Sequence, residues 1–418
     1  MSFARSSTGT RLGVGGALLL YGLLAGGCAT HTLNSARHNF YAGRLDQAED
    51  TLSSARIPNR DRVLFLMERG MVRQMRGEYA DSSQDFIEAH DILRELETYS
   101  LSRGTGSLVI NDTIRNFVGY PYERTLLHAY TAKNHMAEGR WNDAGVEARR
   151  IIYSLSEDTR RKHPDEPYSR YVSALILELT DDASNAEMQY RLVDEQLASV
   201  QVDPRTGRLK EAPPEIHNET DHDRNNRSIR EDNPSHPVEY WGHELVVFIQ
   251  LGRSARPLQR DRNSTPLYAE IHIDGEVLGR SHTLSDTTAL TRQSEEARAA
   301  IQAAKEVGRF VIKETIAIAV ESQHDHVAGD LTRLVLFGLL ERPDNRRWET
   351  LPRWLQVARV PAPETVDSYD LVLKNSRGET VRTITVHQPI NRYRNTHISF
   401  FRDQPLSTIT QTPDSGRK

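Results

Sequence analysis

The sequence predicts a multidomain chain: an N-terminal all-α solenoid of helical hairpins, then a C-terminal α+β domain with an antiparallel β-sheet and two helices. Three observations carry this. Segments led by a glycine recur 34 residues apart in the first half, and beyond His243 the apolar residues alternate with the period of strands. Between the two lies 201–236, where Val202, Leu209, Ile216 and Ile229 are the large apolar residues among many Asp, Asn, Arg and Pro. Such a stretch buries too little surface to offset its chain entropy, so it is expected to be a linker or long loop. The expected boundaries are 28–198 for the repeats, 199–238 for the linker, 239–403 for the α+β domain and 404–418 for a disordered tail.

Residues 1–27 have the layout of an export signal. Arg5 and Arg11 stand ahead of or at the edge of sixteen apolar, uncharged residues, 12–27, and no acid occurs. Sixteen residues with six glycines fall short of the roughly 20 needed to span a bilayer core. The run ends at Cys28, the lone cysteine of the 418 residues. Leu24-Ala25-Gly26-Gly27-Cys28 resembles a bacterial lipobox, in which small residues admit the signal peptidase and the thiol carries a diacylglyceryl group. That resemblance implies three acyl chains on Cys28. Two already anchor a protein stably, at about 0.8 kcal/mol per buried CH₂. Ala29, where Asp would retain a lipoprotein in the inner membrane, implies export to the outer membrane with the chain facing the periplasm. Loss of the two arginines with 1–27 takes the formal charge from −5 to −7, and no basic surplus points to nucleic acid.

The repeats follow. "YAGRLDQAEDTLSSA" (41–55) and "MRGEYADSSQDFIEA" (75–89) share one pattern. After Gly43 and Gly77 come an apolar residue (Leu45, Tyr79), a small one (Ala48, Ser82), a large one (Leu52, Phe86) and an alanine (Ala55, Ala89) at the same offsets. The spacing is the period of the tetratricopeptide repeat. A third unit keeps Gly139, Trp141 and Ala144 after a 28-residue insertion; a fourth keeps Ala186 and Tyr190 but has Asp181 in place of glycine. Glycine ends the first helix of each hairpin in a conformation that a Cβ resists. Stacked hairpins present a concave surface that binds peptide or protein.

Met67, Met71 and Met75 lie at i, i+4 and i+8, on one helix face. Such a stripe is either core or an adaptable partner groove. The expectation is a split, with Met67 and Met71 partly exposed on the concave side and Met75 packed near the Gly77 turn.

"GYPYERTLLHAYTAKNHMAEGRWNDAGVEARRI" (119–151) and "DNRRWETLPRWLQVARVPAP" (344–363) resemble blocks of an uncharacterised family of tetratricopeptide lipoproteins from Gram-negative bacteria. The resemblance implies architecture and an outer-membrane address but no catalytic residue. Tyr122, Glu123, His128, Glu147 and Arg149 match its first block. They are either helix caps and buried polar pairs or a recognition patch beside the insertion, which contains "SRGTGS" (102–107).

In the C-terminal half, "ELVVFIQLG" is a strand, and "LYAEIHIDGEVLG" is a hairpin turned at Asp274-Gly275. A helix is expected over about 294–321, with apolar residues at 297, 301, 304, 307, 311 and 318, and a second in "AGDLTRLVLFGLLE". "WLQVARV", "YDLVLKN", "ETVRTITV" and "THISFFR" return to strands. Trp348, Leu351 and Pro352 are placed to lock the helix-to-strand crossing.

Motifs of chemistry are sparse. There is no G-x-S-x-G, no P-loop and no second cysteine, and "HELVV" at His243 lacks the second histidine of a zinc-protease helix. His324 and His326, or His217 and His222, lack a third close ligand. The expectation is a non-enzymatic adaptor without cofactor or metal. It binds a protein partner through the repeat groove and a membrane through the lipid on Cys28, in cell-envelope biogenesis. The alternative is a hydrolase or metal-binding protein that uses the α+β domain.

Overall fold

The computed structural model describes residues 31–102, 116–160, 163–212, 242–254, 265–299, 346–387 and 391–403. They fall into two compact units, one holding the described residues up to Gly119 together with 346–350, the other the described residues from Tyr120 to 299 and from Leu351 to Asp403.

The first unit contains two helical hairpins. Helix α1 (31–41) turns into α2 (Leu45–Ser53), and α3 (Arg62–Met75) turns into α4 (Tyr79–Ser102). The second unit opens with two more, α5 (Pro121–Ala137) with α6 (Trp141–Arg160) and α7 (Pro167–Leu179) with α8 (Ala183–Gln196).

All four hairpins share one turn. Gly43, Gly77, Gly139 and Asp181 have φ of 73°, 79°, 70° and 68°. In each turn the following amide donates to a carbonyl five residues back: Arg44 to Asn39, Glu78 to Arg73, Arg140 to His135, and Asp182 to Leu177, at 2.8–2.9 Å. This is the bonding that closes a helix through a left-handed residue. Asp181 therefore does the work of the missing glycine, as a short polar side chain can. The small residue five places on, Ala48, Ser82, Ala144 or Ala186, is buried in every unit. The insertion ahead of the third unit partly lengthens α4, which runs to Ser102; the rest of it, with most of "SRGTGS", lies outside the described residues.

The second unit then builds two larger sheets besides a two-stranded one. One has the strand order β10-β11-β3-β7-β6, the other β5-β4-β8-β9. The first sheet comprises β3 (His243–Leu251), β6 (His282–Asp286), β7 (Trp354–Ala362), β10 (Asn391–Tyr393) and β11 (Thr396–Arg402). The second comprises β4 (Tyr268–Ile273), β5 (Glu276–Arg280), β8 (Tyr369–Lys374) and β9 (Thr380–Val386).

Alternate residues of β3 explain the layering. Leu245, Val247, Ile249 and Leu251 pack with Ile271, Leu371 and Leu373 of the second sheet. Phe248 and Gln250 face the helices, meeting Tyr168 of α7 and Tyr130 of α5. A strand covered on both faces must be apolar nearly throughout, which is why "ELVVFIQL" shows no alternation. The same burial accounts for the unit boundary at Gly119 and not at 198: α5 and α7 cover a sheet face and fold with it.

The sheet is mixed, not antiparallel, because β11 runs parallel to β3. Side-chain alternation carries no information about strand direction. The Asp274-Gly275 hairpin is present, with φ of 53° and 82° at its two turn residues, the signature of a type I′ turn. The expected linker is corrected at its start: β1 (Val200–Val202) pairs with β2 (Leu209–Glu211). Val200 and Val202 are buried, Asp203 caps the turn through the amides of Arg205 and Thr206, and Tyr171 donates to the Gly207 carbonyl at 2.7 Å. A helix covers 287–299; the remainder of the two expected helices lies outside the described residues.

Candidate protein-binding face

Met67 and Met71 are both 0% exposed, whereas Met75 is half-buried. The expected split is reversed. Helix α3 packs against both α2 and α4, so the methionine stripe is covered on the side expected to be open. Gly70 on the same helix lets α4 approach: a Cβ there would stand 2.5 Å from the Phe86 ring.

The polar work of α3 is done by Glu68. Its carboxylate, 1% exposed, accepts from Arg37 at 2.7 Å and from the backbone amides of Glu349 and Thr350 at 3.0 and 3.2 Å. Arg37 also reaches the Glu349 carboxylate and the Arg347 carbonyl, Tyr41 donates to the Glu349 carbonyl, and Arg346 pairs with Asp61 at 2.6 Å. Trp348 is buried edge-on to Phe86, ring centroids 5.7 Å apart. The first two hairpins thus hold a short non-helical stretch of their own chain, 346–350, which ends in a turn at Glu349 and Thr350. Trp348 packs onto α4; the helix of the expected helix-to-strand crossing lies outside the described residues.

In the first family-like block, four of the five singled-out residues are buried. Glu123 accepts from the Tyr120 amide at 2.8 Å, closing the N-terminus of α5. The Tyr122 hydroxyl meets Thr291 at 2.8 Å. His128 Nδ1 lies 2.8 Å from Glu147, which also holds Arg150 at 2.6 Å. Burial pushes the Glu147 carboxyl up, but the hydrogen bond and charge of His128, with Arg150, prevail and hold it below the usual range. These are caps and pairs of the helix interface, and a recognition patch made of all five is corrected to one residue.

Arg149 is that residue. It is exposed on α6, its Nη1 donating to the Gly145 carbonyl at 3.1 Å. Val146 and Tyr153, 46% and 66% exposed, stand three before it and four after it, so the three share one helix face. The core face of α6 is Ala144, Ala148, Ile151 and Leu155. Val146 and Tyr153 break that 3.6-residue period, a signal present in the sequence and not used there. Tyrosine and arginine are among the residue types enriched where interfaces concentrate their energy.

His243 lies in β3, and His217, His222, His324 and His326 lie outside the described residues, as does Cys28. Among the described residues no group of three or more His, Cys, Asp or Glu could hold a metal ion, and no helix is long and apolar enough to cross a membrane.

No family model matches the chain, and no curated protein matches it. Among solved structures, the Rap conjugation gene regulator of the plasmid pLS20, in complex with the Phr* peptide, is similar at 14% identity with a TM-score of 0.27. The match covers 46% of this chain and 47% of that one, so the chain spans less than half of the regulator, and at that score the likeness carries no argument.

Proposed function

We propose that this chain is a non-enzymatic adaptor, tethered to the outer membrane through lipidated Cys28 and exposed to the periplasm, which binds a protein partner in cell-envelope biogenesis. The observation that carries the binding role is the outward face of α6, where Val146, Arg149 and Tyr153 stand clear of the core. The methionine stripe does not carry the reading: Met67 and Met71 are core, and the first hairpins hold residues 346–350 of their own chain.

The test is a double variant, Arg149→Glu with Tyr153→Ala, cross-linked in cells. Surface changes of this kind alter stability by about 0.5 kcal/mol or less, while loss of a hot-spot pair costs about 2 kcal/mol or more of binding. Discrete cross-linked partners should be lost with the melting temperature unchanged. Retention of every cross-link would exclude the α6 face.

A further inference from the structure

Among the described residues of the second unit, Lys133 is a charged group buried without a polar partner. It lies on α5 at 2% exposure, and its Nζ has no hydrogen-bond partner. Aromatic rings surround it instead. The Nζ is 4.5 Å from the ring centre of Tyr130, 5.5 Å from Phe400 of β11 and 5.8 Å from Tyr168 of α7. The Tyr168 hydroxyl is likewise buried without a partner.

Gln250 Oε1 takes both the Tyr130 hydroxyl at 3.3 Å and Arg402 Nη1 at 3.4 Å, long contacts on one oxygen. Arg402 cannot give up its proton, and its charge acts on Lys133. The acids at the margin are engaged elsewhere. Glu166 accepts from the amides of Tyr168 and Ser169 and from Ser285, and Asp403 pairs with Arg382.

We infer that Lys133, Tyr168 and Arg402 form a buried site for one small monovalent anion of the chloride class. An unpaired buried ammonium is costly, and cation–π contact offsets only part of that cost. An anion accepting from Lys133 and Tyr168 supplies each with the acceptor it lacks and offsets the charge of Arg402. Burial, and after it the Arg402 charge, push the Lys133 amine below its ordinary range, the direction expected of an ammonium without a counter-charge. The anion would keep it protonated.

The test is thermal unfolding of the mature chain in chloride against gluconate at constant ionic strength, with formate to separate a halide site from a carboxylate site. Above its dissociation constant, a bound ion raises the melting temperature by roughly 3–5 °C per tenfold in concentration for a unit of this size. Lys133→Met should melt higher than the native chain in gluconate and show no chloride dependence. Tyr168→Phe, which keeps the ring, should shift the chloride midpoint to higher concentration. Identical melting of the native chain in all three salts would overturn the site and leave Lys133 as a neutral buried amine. Chloride dependence that survives in Lys133→Met would overturn it equally.

Discussion

His282 illustrates how a single buried side chain ties the second unit to pH. Burial, with Arg280 beside it, pushes its imidazole down to about 4, against roughly 6.5 in an unfolded chain. The fold therefore refuses a proton that the unfolded chain accepts. Its contribution is fully present above pH ~6.5 and is lost progressively as pH falls toward 4, for a total of about 3 kcal/mol. His282→Gln should flatten that part of the acid limb in melts recorded between pH 4 and 7; an unchanged slope would remove His282 as its cause. At this scale the sequence was only half legible. Periodicity told that Met67 and Met71 share an apolar face but not that α2 and α4 cover it, because a stripe looks the same whether its partner is core or ligand. For His128 and Glu147, nineteen positions apart, pairing depends on how α5 and α6 meet, which no local pattern encodes.

The hairpin is the element most clearly written in the chain. Its turn needs a positive φ, its second helix a small residue five places on, and both requirements show as residue types at fixed spacing; even Asp181 fits, since aspartate tolerates that conformation. The close approach of α3 and α4 at Gly70 was not legible, because a helical glycine has no local requirement to announce it. Gly70→Ala should cost about 1–3 kcal/mol through overpacking against Phe86, which is itself fully buried. Urea unfolding of the variant measures this, and unchanged stability would mean that the ring can yield. Among the strands, β3 and the Asp274-Gly275 hairpin declared themselves. The parallel pairing of β11 with β3 did not, and neither did β1 and β2, whose two buried valines sit within a polar stretch.

For the molecule as a whole, the tether and the partner face are separate claims. Cys28→Ser should leave melting unchanged and release the protein from membranes, since Cys28 precedes the first described helix by a few residues. Persistence of the variant in the outer-membrane pellet after a high-salt wash would count against lipidation. The adaptor claim rests on α6 meeting another protein, and a photoreactive residue placed at Tyr153 in the lipidated chain tests it most directly. Irradiation of living cells should give one discrete covalent adduct to a protein partner, abolished by Arg149→Glu. No adduct from position 153 at normal expression, with adducts formed instead from other surfaces, would contradict it.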